Sequence, residues 1–376
     1  MRIVVVGAGI AGASAAYHAS GLGAEVVVVD QPLRGRATDA GAGIVCPWAS
    51  RVADPHHLRM AGDGARYYGP LVAELAEAGE RDLGYRRVGA LSLASDDEEL
   101  AEILRRTVAR RDSVSDTGDV EILDGDQTRE LFPPLAADSR AVYVPAGARV
   151  DGRLLRDALL RQAERRGARL RQGRATLVRS GDRVGGVEVS GAGGVIEADR
   201  VILAAGAWTA DVLALVGLTA AVEPQRGQIA HLALPGTDTS RWPAVLPGGS
   251  AHYLVAFDDS RVVAGATRET GSGFSYQVTA GGLAEVLNEA LAVAPGLASA
   301  VHVETRIGFR PMGPDARPLL GPVPGLAGLV VATGLGATGL TMGPWAGRLA
   351  ALLATDHDLK AELGLDLAPY APLRER

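Results

Sequence analysis

The first thirty residues constrain this chain more tightly than any other stretch. Arg2 to Val6 is a short β-branched run, Gly7-Ala-Gly9-Ile10-Ala11-Gly12 follows at once, and Ala13 to Ser20 is strongly helix-forming, which reads as strand, turn and helix. Each glycine has a mechanical use. Gly7 permits the tight turn, Gly9 lets backbone approach a pyrophosphate, and Gly12 lets the helix pack closely on the strand. The free N–H groups and partial positive charge of the helix N-terminus then stabilise an anion without any basic side chain. A second strand, Glu25 to Val29, ends in Asp30, where a carboxylate can accept hydrogen bonds from a ribose hydroxyl pair. The pattern predicts a dinucleotide site that includes Ile10, Ala11 and Gln31 beside the glycines and Asp30. It does not separate NAD from FAD, since both carry an ADP half. The plain alternative is a glycine-rich βαβ unit in which Asp30 caps the next turn.

Composition removes other classes. The 376 residues carry a net charge of −6 with no basic run, so the electrostatic footprint for a phosphate backbone is missing and no nucleic-acid partner is expected. A single cysteine, Cys46, excludes an intrachain disulfide framework and Cys-rich zinc or iron–sulfur centres, and no metal site is expected. No apolar run reaches the ~20 residues of a membrane-crossing helix. The first apolar run breaks at Gly7, too early for a signal peptide. A two-domain cytoplasmic protein is the expectation.

Later segments narrow the dinucleotide. After the second strand comes a loop of small residues, Arg36-Ala-Thr38-Asp-Ala-Gly-Ala42-Gly43-Ile44. Leu154, Leu155, Ala158 and Leu159 recur at helical spacing between a capping Asp151 and a terminating Gly167, with a strand following at Ala168 to Arg171. Val201 to Leu203 reads as a buried strand running through Ala205 and Gly206 to Trp208. Gly308-Phe-Arg310-Pro-Met-Gly-Pro-Asp315 and Val330-Val-Ala-Thr-Gly334-Leu-Gly336-Ala337-Thr338-Gly339-Leu340-Thr341 are two blocks punctuated by glycine and proline. A helix is expected from Pro344. Together these segments resemble the D-amino-acid oxidase and glycine oxidase family of FAD-dependent amine oxidoreductases.

The resemblance implies FAD, since the last glycine turn lies by the pyrimidine end of the flavin in that family and stabilises the reduced ring's negative charge. It places Thr38, Ala42, Gly43, Ile44, Thr176, Ala205, Gly206, Trp208, Gly308, Arg310 and the residues Gly334, Gly336, Ala337, Thr338, Gly339, Leu340 and Thr341 at the cofactor. For Trp208 packing is the commoner role. One departure is Leu335, where relatives often carry histidine. Cys46 and the pair His56-His57 offer points for covalent flavin attachment, although an isolated cysteine and surface histidines explain them more simply.

The implied fold is α/β: a Rossmann-like FAD-binding domain (residues 1–85, 145–220 and 306–376) with a discontinuous α+β antiparallel-sheet substrate domain (86–144 and 221–305). Alternating runs from Ala251 to Phe257 and from Arg261 to Thr267 read as a hairpin of that sheet, and Glu98–Arg110 and Leu283–Val293 as amphipathic helices outside it.

The implied activity is oxidation of the C–N bond of an amino acid (a D-amino acid, glycine or an N-methyl amino acid) by hydride transfer from the α-carbon to flavin N5, giving an imine that hydrolyses. Oxygen or another acceptor then takes the electrons. No acid or base is obligatory, because positioning does most of the work. The resemblance makes Arg310 the carboxylate anchor and Tyr253 its hydroxyl support. Arg268 stands where relatives have an apolar side chain, so a substrate with a second acidic or polar group is expected, unless Glu269 neutralises it. Gln225-Arg226-Gly227-Gln228 resembles the family's linker between domains. His231, His252 and His302 read as half-buried strand residues. Two other readings stay open: a flavin enzyme for a larger secondary-metabolite amine, and a non-catalytic flavin-binding subunit. A homo-oligomer is compatible with the sequence.

Overall fold

The computed structural model describes residues 1–114, 117–191 and 194–375. In chain order, the elements that build the site are β1 (Arg2–Val6), α1 (Ile10–Gly21), β2 (Glu25–Asp30), α2 (Pro55–Glu77), α3 (Gly152–Arg165), β3 (Arg169–Gln172), β4 (Arg200–Leu203), β5 (Glu223–Ala233), β6 (Tyr253–Phe257), β7 (Arg261–Gly265), α4 (Ala280–Val293), β8 (Val301–Met312), β9 (Leu319–Pro322), β10 (Leu329–Thr333) and α5 (Gly339–Ala354).

Six strands form one sheet in the order β9-β10-β4-β1-β2-β3, parallel throughout except for β9. Both faces are covered. Ile3 and Val5 pack with Ala11, Ala15 and Leu349, while Val4 and Val6 pack with Leu177, Val184 and Val187. A strand buried on two faces carries an unbroken β-branched run, as β1 does. Each such side chain contributes about 1.5–3 kcal/mol through burial. Leu177 and Val187 belong to a small antiparallel sheet (Ala175–Ser180, Arg183–Val189 and Val195–Glu197) that sequence patterning does not announce.

α1 is built mostly of small residues and is buried at almost every position. Small residues let α5 lie close against it: a Cβ on Gly347 would overlap the Ala11 carbonyl oxygen. The helix expected from Pro344 starts earlier, at Gly339, with Pro344 inside it. Proline deprives the carbonyl four residues back of its N–H partner. That carbonyl, Leu340, accepts instead from the Tyr68 hydroxyl of α2.

The second sheet has eight strands, in the order β8-β5-β7-β6 and then Ala244–Pro247, Ala90–Ala94, Arg140–Val144 and Glu121–Leu123. It is not wholly antiparallel, because Ala244–Pro247 runs parallel to Ala90–Ala94, two strands joined by a long excursion and not by a hairpin. The expected hairpin is β6 and β7, in register Tyr253↔Gly265. The helices expected at Glu98 and Leu283 run Asp97–Val114 and Ala280–Val293, and Val286 and Ala290 of the latter pack on Leu254 and Val262. β8 runs unbroken from Val301 to Met312 along β5. It therefore crosses the domain boundary expected at 306, and Gly308 and Arg310 stand on a strand of the second sheet.

Of the three histidines expected to be half-buried, His231 is fully buried and His302 is largely exposed. Burial, assisted by Arg306 and Arg261, pushes the His231 imidazole down to about 3. Burial does the same to His18 of α1, to about 3, with Arg348 and Arg166 assisting. An unfolded histidine binds its proton near pH ~6.5, so between these values the unfolded chain holds more protons and stability falls as pH drops. Thermal unfolding at constant ionic strength should show a lower Tm at about pH 5 than at about pH 7, with His231→Gln reducing the difference. Equal Tm values would contradict this.

Among the described residues no helix is long and apolar enough to cross a membrane. No group of three or more His, Cys, Asp or Glu among them is placed to hold a metal ion.

Candidate active site

A continuous cavity of about 440 Å³ lies between the two sheets. On one side it is lined by residues at the carboxyl ends of β1, β2, β4 and β10, the position where open parallel sheets place their ligands. On the other it is lined by Gly227, Ile229, Tyr253 and Arg268, with Gly308 to Pro311 of β8.

The first wall is backbone. Gly7 has φ +100°, and a Cβ there would overlap the Ala204 carbonyl oxygen. A Cβ on Gly12 would overlap the Gly7 carbonyl oxygen, so this glycine serves helix–strand contact and does not itself line the cavity. The Ile10 N–H donates to Thr38 Oγ1 at 3.0 Å, which ties the small-residue loop to the start of α1. Asp30 Oδ1 accepts from the Ala8 N–H at 2.9 Å, and Oδ2 pairs with Arg36. Burial raises the Asp30 carboxyl, with the Ala8 amide and Arg36 acting against it. Arg36 lines the cavity too; a cation six residues past the strand-end acid is the signal that would have found it.

The remaining expected cofactor residues divide clearly. Gln31, Ala42, Gly43, Ile44, Ala205, Gly206 and Trp208 line the cavity, as do Gly336, Ala337, Gly339 and Leu340 at the start of α5. Gly43 has φ +87°, and a Cβ there would overlap the Val150 carbonyl oxygen. Trp208 also packs, stacking on Phe274 at 4.9 Å and meeting Phe309 edge-on. Thr176 does not line the cavity; Gly173, Arg174 and Ala175 do, so the expected contact lies one strand position earlier. Gly334 forms the turn, with φ +68°, without lining. Thr338 and Thr341 are also outside the lining, their hydroxyls donating to the carbonyls of Leu335 and Ile44.

Neither Cys46 nor His56 nor His57 lines the cavity. Burial pushes the Cys46 thiol up to about 12. His57 is buried, not superficial, with Nδ1 2.7 Å from the Ala316 carbonyl oxygen.

At the substrate end, the Arg310 guanidinium lies over Gly227, where a Cβ would come within 2.7 Å of Nη2. Arg310 Nη1 donates to the Thr267 carbonyl at 3.0 Å and to Gln225 Oε1 at 3.3 Å. Burial works against its charge, with Tyr253 opposing that effect; a guanidinium nonetheless keeps its proton in a protein. Burial raises the Tyr253 phenol, although Arg310 and Arg268 draw it down.

Arg268 lines the same cavity, exposed, and makes no hydrogen bond or ion pair among the described residues. Its neighbour Glu269 does not neutralise it. The Glu269 carboxylate pairs with Arg226, and accepts from Gln228 Nε2 at 2.7 Å and Thr267 Oγ1 at 2.7 Å. Burial opposes its ionisation, but these hydrogen bonds outweigh burial and hold it below the usual carboxylate range.

A glycine turn in which Gly7, Gly12 and Gly43 have no room for a Cβ, two helix starts facing one cavity and an acid at the end of β2 fit an adenine dinucleotide that continues to a second ring beside Tyr253 and Arg310. That combination defines a dinucleotide-dependent oxidoreductase. A model of the FAD-dependent oxidoreductase family matches residues 2–353, and the chain belongs to that family. Its cofactor is FAD. It is 45% identical over 98% of both chains to the uncharacterised oxidoreductase YurR of Bacillus subtilis. It is 33% identical to a glycine oxidase of Pseudomonas aeruginosa, over 99% of this chain and 98% of that one. The crystal structure of iminodiacetate oxidase from Chelativorans sp. BNC1 superposes with a TM-score of 0.95 at 51% identity, covering 99% of each chain.

Proposed function

We propose that the protein oxidises the C–N bond of a small secondary amine bearing two carboxylates, the class to which iminodiacetate belongs. The observation that carries this reading is Arg268, a cation without a partner among the described residues, lining the same cavity as Arg310. The 51% identity to an iminodiacetate oxidase supports it independently.

In this reading Arg310 receives one carboxylate through its planar fork of donors. Tyr253, kept protonated by burial, donates to the same group. Arg268 receives the second carboxylate, and with both ends fixed the methylene between nitrogen and the anchored carboxylate has little freedom. No histidine lines the cavity among the described residues, and the reaction calls for the amine in its neutral form. FAD, held by the glycine turn at Gly7 and Gly9 and by Asp30, would supply the two-electron acceptor for the hydride of the carbon beside nitrogen; the amine would lose its proton to solvent, and the resulting imine would take up water and divide into glyoxylate and glycine.

The test compares iminodiacetate with N-methylglycine and glycine. The unaltered protein should prefer the diacid. Arg268→Ala should lower kcat/KM for the diacid by about 10- to 100-fold, the loss of one charge-assisted interaction, with the monocarboxylates within about twofold. An unchanged preference ratio would sink the reading. D-aspartate, a diacid with a primary amine, separates recognition of the second carboxylate from recognition of the secondary amine. Relatives named oxidases support oxygen as acceptor, and peroxide should then form in step with glyoxylate; dye reduction without peroxide would mark a dehydrogenase instead.

A further inference from the structure

We infer that Glu269 is a positioning residue for substrate selection, acting through Arg226 and Gln228 to keep Arg268 free and aimed at the cavity. The inference rests on the reading of Arg268 as the second carboxylate site.

β5 divides its side chains by alternation. Gln225 and Gly227 serve the Arg310 side: one accepts from its guanidinium and the other makes room for it. Arg226 and Gln228 alternate with them and serve the segment that runs from β7 to α4. Arg226, with only 9% of its side chain exposed, pairs with Glu269 and donates Nη1 to the Ser275 carbonyl at 3.1 Å. Backbone bonds run both ways between Arg226 and Glu269, at 3.1 and 2.9 Å. Gln228 is fully buried and donates Nε2 to Glu269 and to Thr279 Oγ1, the cap of α4, while its Oε1 accepts the Thr279 N–H at 3.0 Å. Both ends of the segment carrying Arg268 are thus fastened to two residues of one strand.

The fastening has a chemical consequence. A carboxylate adjacent in sequence to Arg268 is the obvious group to cancel its charge, and two arginines facing a cavity repel one another. Engaging Glu269 with three donors on the side away from Arg268 removes the first outcome. It leaves the second cation available to a dianionic ligand. Thr267, hydrogen-bonded to the same carboxylate, also turns its carbonyl to Arg310. Arg310 has Gln225 and the Gly227 recess as well, so loosening Glu269 should act on Arg268 first.

The experiment uses the FAD-loaded protein, with retained flavin absorbance showing that each variant is folded. Glu269→Gln should raise KM for iminodiacetate about tenfold, with kcat and the monocarboxylate constants within about twofold, a coupling typical of groups in one network. In the Arg268→Ala background the same change should cost nothing further for the diacid, because its route of action is gone. Malonate binding, read from the perturbed flavin spectrum, should weaken in parallel, and Glu269→Asp should restore part of it. Equal losses for diacid and monocarboxylate, or full additivity with Arg268→Ala, would overturn the inference while leaving the substrate reading intact. No diacid preference in the unaltered protein would overturn both.

Discussion

Replacing Arg310 by alanine should lower kcat/KM for carboxylate substrates by about 10²- to 10⁴-fold, with flavin still bound. Two charge-assisted hydrogen bonds of about 1.5–3 kcal/mol each account for that loss. The flavin should stay because the cradle around the dinucleotide is backbone at Gly7, Gly9 and Gly43, remote from this side chain in sequence and built by other strands. Arg310→Lys should recover only part, since an ammonium presents no planar fork and the recess over Gly227 is shaped to a flat group. Steady-state kinetics alongside the visible flavin spectrum decide the matter. Turnover nearly intact in Arg310→Ala would mean that the substrate carboxylate is not held there, and a larger amine lacking that group would become the better reading.

The second large effect concerns the cofactor and separates two glycines that look alike in sequence. Gly12→Ala should give a chain that neither docks α1 nor holds flavin, because its Cβ would overlap the Gly7 carbonyl oxygen. Gly9→Ala is different. The nearest atom to its Cβ is Thr38 Oγ1 at 3.4 Å, an ordinary contact, and its open side is the cavity. This variant should fold with a far-ultraviolet spectrum like the parent yet emerge colourless or with weakened flavin affinity. A yellow Gly9→Ala protein with undiminished affinity would show that the cofactor's phosphates do not approach this turn.

Local chemistry explains which parts of this molecule can be read from sequence. The βαβ start was legible because strand, glycines and acid each impose a short-range requirement within thirty residues. The cap at Asp151 and the hairpin at Asp258-Asp259-Ser260 are local for the same reason. The start of α5 was misplaced because Pro344 normally sits in a first turn, and only a tyrosine from α2, far away in sequence, makes it tolerable deeper in the helix. The partner of Glu269 was equally out of reach: adjacency points to Arg268, whereas the actual partner, Arg226, stands directly opposite on the neighbouring strand, forty-three residues away in sequence. Thr176 lies one position beyond the run Gly173, Arg174 and Ala175 that lines the cavity, a distinction too fine for the sequence pattern to resolve. The small sheet of Ala175–Ser180, Arg183–Val189 and Val195–Glu197 is not announced in sequence, the adjacent Gly185 and Gly186 weakening the alternation of its middle strand.

The long edge strand β8 has a consequence for how such an enzyme changes its diet. Phe309 bonds back to Gly35 through its N–H at 2.8 Å, Met312 bridges to Leu335 beside the last glycine turn, and Arg310 lies between these two ties to the nucleotide cradle. Arg310 is therefore mounted on a strand tied on both sides of it to the glycine-rich segments that line the first wall of the cavity. Side chains at the far wall, where Arg268 stands, can change without disturbing those two ties.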